Sequence, residues 1–224
     1  MEEVETLSSI IKVGIVGYGY WGPNIVRNFM QNENIQVNYI CDSSTDRLSQ
    51  AKFNYTSSAI EFTNNINDIM DDTSIDLVAI ITPVNSHYEL AKKALNKGKN
   101  IFIEKPFTRT VEQANELIDI SLKNNSLIMV DHTFLFTGAV RKMKEIIDNG
   151  ELGDLCYYDS VRINLGLFQH DVNVLWDLAP HDLSILLYLY ENHKPVSINA
   201  IGATHFGDNE NVAYLNLNYN HLLY

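Results

Sequence analysis

The sequence predicts an α/β protein with a doubly wound parallel sheet, followed by a second α+β domain with an open sheet. Short apolar runs alternate with helical stretches over residues 11–130, which is typical of a parallel sheet covered by helices on both faces. The runs are continuously apolar, as expected of strands buried on both sides. After Asp131, predicted strands follow one another, which indicates antiparallel or mixed pairing. We therefore expect domains over residues 1–131 and 132–224.

The first domain is predicted to contain six strands with helices between them. The strands are expected at residues 12–16, 36–41, 59–62, 77–81, 100–103 and 127–130. The helices are expected at residues 21–31, 45–53, 66–70, 87–97 and 111–124. Ser44 or Thr45 is expected to cap the second helix. Capping boxes are expected at Ser86 with Glu89 and at Thr110 with Gln113.

The second domain is predicted from fewer elements. A helix over residues 139–148 ends at Asn149-Gly150, and a second helix is expected over residues 178–190. A long β-rich run covers residues 155–164, and two further strands are expected at residues 196–201 and 212–217. These strands are expected to form the sheet of the second domain.

Composition narrows the classes of partner. The net charge of −12 argues against nucleic acid and against an anionic membrane surface, because both are bound through Lys and Arg. No apolar run approaches the roughly 18 residues of a membrane helix. Glu2, Glu3 and Glu5 do not fit the basic start of a signal peptide, so a cytoplasmic location is expected. Cys41 and Cys156 form no spaced pattern, and scattered histidines argue against a metal.

A glycine-rich turn follows the first predicted strand. Gly17 permits the tight turn, Gly19 lets the backbone approach a pyrophosphate, and Gly22 permits close helix–strand contact. Tyr20 and Trp21 occupy the variable positions and join the candidate cofactor contacts. The spacing predicts a dinucleotide held at the start of the following helix.

Asp42 stands at the end of the second predicted strand, 20 residues beyond Gly22. A carboxylate at this point accepts hydrogen bonds from the adenosine ribose and repels a 2′-phosphate. The sequence therefore favours NAD over NADP. Arg47, five residues further on, would soften this preference unless it is simply a solvated helix residue.

Two further motifs complete a family resemblance. Glu104-Lys105-Pro106 ends the fifth predicted strand, and Asp177 precedes His181 by four residues. With the glycine turn, these motifs make the chain similar to the Gfo/Idh/MocA family of NAD(P)-dependent oxidoreductases. The resemblance implies a Rossmann domain, then a domain whose open sheet carries the substrate site and the contacts of a homo-oligomer. Because family members have further strands in this sheet, the resemblance also implies that the sheet is incomplete here and that the second domain is truncated.

The resemblance also implies roles for residues of the first domain. Lys105 matches a lysine that contacts the nicotinamide end and the reacting hydroxyl, where an ammonium stabilises a developing alkoxide. The Lys105–Pro106 peptide bond is expected to be cis in such a motif. Glu104, Thr82, Pro83 and His87 match positions near the cofactor, although for His87 a simple helix-start role is an equal alternative.

Asp177 and His181 match the family's aspartate–histidine motif. The histidine is expected to take the hydroxyl proton and the aspartate to orient the substrate or the histidine. The preceding segment is expected to line a polar substrate pocket with Phe168, Gln169, His170 and Asn173. Within this pocket, His170 is an alternative to His181 as the group that accepts the proton. A solvated loop is the alternative for this segment.

The expected function is therefore hydride transfer between NAD and a sugar hydroxyl or ketone. The residues around His181, Trp176-Asp-Leu-Ala-Pro-His-Asp182, most resemble family members that act on nucleotide-linked sugars in polysaccharide biosynthesis. The rival hypothesis is an inactive or partner-completed NAD-binding protein from a truncated family member.

Overall fold

A computed structural model describes residues 10–56, 59–164, 172–191 and 193–219. The chain divides into two compact units, the first ending at Asp131 and the second beginning at His132. Within the described ranges, no helix is long and apolar enough to cross a membrane.

The first unit is built on a six-stranded parallel sheet. Its strands are β1 (Ile11–Val16), β2 (Ile35–Cys41), β3 (Glu61–Thr63), β4 (Leu77–Ile80), β5 (Asn100–Ile103) and β6 (Ile128–Val130). Their order in the sheet is β3-β2-β1-β4-β5-β6, and every neighbouring pair is parallel. The predicted doubly wound sheet is confirmed.

Five helices connect these strands: α1 (Gly22–Met30), α2 (Thr45–Asn54), α3 (Asn67–Met70), α4 (His87–Asn96) and α5 (Val111–Asn124). Buried apolar residues form two clusters, one containing Ile15 and the other containing Val16. Because successive strand residues point to opposite faces, the two clusters lie on opposite faces of the sheet. This explains why the strands are apolar without alternation.

The strand order reverses at β1, which lies between β2 and β4. In open α/β sheets, ligands bind outside the carboxyl ends of the strands where the order reverses. Here the loops that follow β1 and β4 diverge from this point, and they carry the glycine turn and Thr82.

The second unit contains α6 (Gly138–Asp148), α7 (Val174–Leu189) and an antiparallel pair of strands, β7 (Ser197–Ala203) and β8 (Val212–Asn218). A small cluster around Val140, Ile185 and Leu189 packs the two helices together. The antiparallel pairing expected after Asp131 is confirmed by β7 and β8.

Three local predictions were wrong. Residues 155–164 are described without a strand, because β-branched residues favour a ladder only where a partner strand is available. The helix predicted from residue 178 begins at Val174, since Asn173 caps it. Ser86 makes no cap bond to α4 within the described residues; its hydroxyl lies 2.7 Å from Thr82 Oγ1 and 2.9 Å from the Pro83 carbonyl.

Candidate active site

The glycine turn forms the tight connection between β1 and α1. Gly17 has φ +102°, and a Cβ added there would lie 2.4 Å from the carbonyl oxygen of Ile81. A Cβ on Gly22 would lie 2.7 Å from the Gly17 carbonyl oxygen. Both glycines are therefore required by the protein's own backbone, as the motif predicts.

Gly19 is different because the protein itself leaves space beside it. A Cβ added there would meet only the end of the Arg47 side chain, at 3.6 Å. In the part of the chain that the structure describes, Trp21 makes no side-chain cap bond to α1. Open backbone at Gly19 and a helix start without a side-chain cap fit the requirements of a pyrophosphate.

Asp42 is 5% exposed and joins the glycine turn to the end of β2. One carboxylate oxygen accepts the backbone N–H of Tyr18 at 2.7 Å, and the other accepts that of Ser44 at 2.8 Å. Arg47 lies 3.7 Å from the same carboxylate and is about half exposed. Asp42 thus organises the turn, and Arg47 borders the place where the spacing puts the adenosine ribose.

Tyr20 and Trp21 lie beside the turn and are solvent-exposed, by 86% and 41%. The structure thus places both of these predicted residues at the surface of the candidate cofactor site.

The loops after β4 and β5 add polar groups at the same edge of the sheet. Thr82 and Pro83 directly follow the chain segment whose Ile81 N–H donates to the Val16 carbonyl at 2.8 Å. Glu104 and Lys105 follow β5, and the Lys105–Pro106 peptide bond is cis. Because the strands are parallel and adjacent, these residues share the carboxyl edge with the glycine turn.

Glu104 and Asp131 form a carboxyl pair beside Lys105. Ile103 and Val130 are paired residues of β5 and β6, so the two acids that follow them are neighbours. Burial raises the pKa of Glu104 well above its ordinary value, and the adjacent Asp131 carboxylate raises it further, against the opposing charge of Lys105. Oε1 of Glu104 is buried and has no hydrogen-bond partner among the described residues. The raised pKa favours a protonated Glu104 at neutral pH.

This pair predicts a pH-dependent stability. The raised pKa means that folded Glu104 binds its proton more tightly than unfolded Glu104 does. Its contribution to the free energy of unfolding is complete below the unfolded pKa of about 4.3 and is lost as pH rises through the folded pKa, by at most about 1.4 kcal/mol per pH unit. Glu104→Gln should remove this loss, so its stability relative to wild type should grow with pH.

Urea unfolding at several pH values tests the prediction. Glu116→Gln is the matched control, because Glu116 is an exposed acid whose pKa is lowered by Lys92 and Tyr88, and it carries the opposite pH dependence. Identical pH profiles for wild type and Glu104→Gln would contradict the raised pKa of Glu104.

His87 is the first residue of α4 and is almost fully buried. Its side chain is 1% exposed at the start of α4, and both ring nitrogens contact backbone carbonyls. A ring so enclosed does not favour the direct cofactor contact that the motif suggested. The ring instead bridges the backbone carbonyls of Thr82 and Pro106, in the loops that follow β4 and β5.

In the second unit, Asp177 and His181 both lie on α7, so their spacing of four residues puts them on one face. The Phe134 and His181 rings pack edge to face, with ring centroids 4.9 Å apart and planes at 78°. Such edge-to-face contacts restrict the orientation of a ring.

Phe134 also contacts a network that sequence spacing did not reveal. The Arg162 guanidinium lies 4.6 Å from the Phe134 ring centroid and pairs with Asp182 through contacts of 2.7 and 3.2 Å. Ser160 donates to the same carboxylate at 2.7 Å. Burial raises the pKa of Asp182, but hydrogen bonds from Arg162 and Ser160 outweigh it and lower the pKa overall. Asp182 is therefore a charged carboxylate that holds Arg162 and Ser160 in place near His181.

The predicted substrate segment is only partly described. Phe168, Gln169 and His170 lie outside the described residues. Asn173 accepts the Trp176 N–H at 3.0 Å as the cap of α7, and its amide lies 3.2 Å from Glu210. Its side chain thus caps α7, and its place in a substrate pocket stays a prediction.

Comparison with known proteins agrees with this geometry. A model of the Gfo/Idh/MocA oxidoreductase family, with an NAD-binding Rossmann fold, matches residues 11–132. An uncharacterized oxidoreductase of Streptococcus pneumoniae is 24% identical over 94% of this chain and 60% of its own length. The scyllo-inositol 2-dehydrogenase (NADP(+)) IolW of Bacillus subtilis is 25% identical over 95% of this chain and 61% of its own length.

Solved structures show the same fold. The structure of yvaA from Bacillus subtilis, described as an oxidoreductase, has a TM-score of 0.80 and 26% identity, covering 96% of this chain and 61% of that one. GenD2 from gentamicin A biosynthesis, in complex with NAD, has a TM-score of 0.81 and 14% identity, covering 95% and 63%. The chain spans about three fifths of the length of these relatives. It belongs to the Gfo/Idh/MocA family of oxidoreductases, which have an NAD-binding Rossmann fold.

Proposed function

We propose that this protein transfers hydride between a nicotinamide cofactor and the CH–OH group of a sugar or a related cyclic polyol. One observation carries the proposal. The glycine turn, Thr82 and Lys105 follow three strands that are adjacent in the sheet, next to the point where its order reverses. This is the edge at which open α/β sheets bind dinucleotides.

The first unit supplies cofactor binding and charge stabilisation. NAD bound at this edge supplies a nicotinamide ring that accepts the hydride. The turn at Gly19 and the start of α1 hold the pyrophosphate, while Asp42 favours the unphosphorylated ribose of NAD. The Lys105 ammonium stabilises negative charge on the substrate oxygen as its carbon loses hydride.

The second unit supplies the proton acceptor. His181 takes the proton of the substrate hydroxyl while hydride leaves the same carbon, so the alcohol becomes a carbonyl and the proton stays on the imidazole. Imidazole suits this step because its unperturbed pKa is about 6.5. Asp177, one turn earlier on α7, orients the substrate or the ring.

Two substrate classes compete within this proposal. The residues around His181 resemble family members that act on nucleotide-linked sugars, whereas the relative IolW is named as a scyllo-inositol dehydrogenase. Both classes offer a ring with several secondary hydroxyls. We propose a nucleotide-linked sugar as the substrate, with assembly as a homo-oligomer through the β7–β8 sheet and a cytoplasmic location.

Cofactor reduction tests the proposal directly. The protein is mixed with NAD or NADP and, in turn, with nucleoside-diphosphate sugars, free sugars and inositols, and the absorbance of the reduced nicotinamide is followed. We expect reduction of NAD with a nucleotide-linked sugar and a slower reaction with NADP. If only inositols support reduction of the cofactor, the substrate is a cyclic polyol and the proposal of a nucleotide-linked sugar is wrong. NAD binding without reduction across the whole panel would favour a cofactor-binding protein without activity.

A further inference from the structure

His87 joins two loops that are separate in the sequence. Its Nε2 lies 2.8 Å from the carbonyl oxygen of Thr82, in the loop after β4. Its Nδ1 lies 2.9 Å from the carbonyl oxygen of Pro106, directly after Lys105. The ring is 1% exposed, so bulk water does not compete for either contact.

The two contacts specify the chemistry of the ring. A backbone carbonyl accepts hydrogen bonds and has no proton to donate, so each contact requires an N–H on the imidazole. A neutral imidazole has only one N–H, and its other nitrogen would direct a lone pair at a carbonyl oxygen. Both contacts are satisfied together only when both nitrogens are protonated.

The charges on the neighbouring elements act in both directions. The loop 82–86 has no charged side chain, α4 has Glu89 in its first turn, and the loop after β5 has Glu104 and Lys105. Burial of the ring, the start of α4 and the Lys105 ammonium disfavour a cation, while Glu89 and the two carbonyl dipoles favour it. Glu104 adds little, because its raised pKa leaves it mostly uncharged at neutral pH. The carbonyls are in direct contact with the ring nitrogens, so we expect their effect to dominate.

We propose that His87, protonated on both ring nitrogens, is a positioning residue that ties the Thr82 loop to the Lys105–Pro106 segment and thereby holds Lys105 at the cofactor edge. The consequence for Lys105 rests on the proposed function. The protonation state of the ring does not, because it follows from contacts within the first unit alone.

Nitrogen NMR of histidine-labelled protein tests the protonation state without any substrate. The His87 signals are assigned by their loss in His87→Gln. We expect both ring nitrogens to be protonated at neutral pH and to resist exchange with solvent. A neutral ring with one bare nitrogen would overturn the proposal.

Kinetics test the positioning role. His87→Gln retains one donor group and His87→Phe retains the ring volume without donors, while His205→Gln alters an exposed histidine elsewhere. We expect kcat to fall about 100-fold in His87→Phe and less in His87→Gln, with KM nearly unchanged, because a small misplacement of a catalytic group has an effect of that order. Unchanged kcat in a folded His87→Phe would overturn the positioning role.

The two measurements separate the possible failures. A doubly protonated ring in a protein that reduces no cofactor would contradict the proposed function and leave the tie between the loops supported. Turnover that proceeds with a neutral His87 would support the function and overturn the tie.

Discussion

Replacing His181 with alanine is expected to lower kcat by about 10²- to 10⁴-fold, the usual contribution of a general acid or base. The substitution removes the proposed proton acceptor on α7 and leaves the glycine turn of the first unit unchanged. Cofactor binding should therefore persist, and it can be measured by titrating the protein with NADH and following the fluorescence of the reduced nicotinamide. In a plot of kcat/KM against pH, the part of the curve that reflects protonation of the His181 imidazole should disappear as well.

His205→Ala provides the control for this experiment. His205 is an exposed histidine between β7 and β8, so its loss should leave turnover and NAD affinity at wild-type levels. A His181→Ala protein that retains wild-type kcat would assign the proton transfer to another group. His170, in the segment next to α7, would then be the first candidate to replace.

Gly17→Ala is expected to destabilise the first unit, and Gly19→Ala is not. Alanine at Gly17 would have to adopt φ +102° and would place its Cβ 2.4 Å from the Ile81 carbonyl oxygen. Backbone strain of this kind has a cost of about 1–3 kcal/mol before the steric contact is added. The Gly19 position offers ordinary contact distances, so we expect wild-type stability there.

The order of effects reverses when cofactor binding is measured. Gly19→Ala should weaken NAD binding, because its Cβ would occupy the space through which a pyrophosphate approaches the backbone. Urea unfolding and reduced-cofactor fluorescence measure the two properties on the same samples. Equal losses of stability in the two variants would show that Gly19 is also a structural glycine, contrary to this interpretation.

Local signals account for much of the agreement between the predicted and observed folds. β5 occupies the predicted residues 100–103, and Thr110 caps α5 by accepting the Gln113 N–H at 3.3 Å. In both cases the signal lies within a few neighbouring residues. The strand predicted over residues 155–164 was wrong because its formation depends on distant residues. A strand forms only when another strand accepts and donates its hydrogen bonds.

The sequence by itself determined the alternation of strands and helices, the glycine turn and the placement of Asp42 and Lys105 at strand ends, because these depend on local spacing and on apolar periodicity. Only the tertiary structure decided three further arrangements: Glu104 beside Asp131, His87 between two loops, and Phe134 in contact with both Arg162 and His181. The partners in each arrangement are separated by 19 or more residues in the sequence, with the exception of His87 and Thr82. Strand register and helix packing bring them together, and no local pattern encodes those distances.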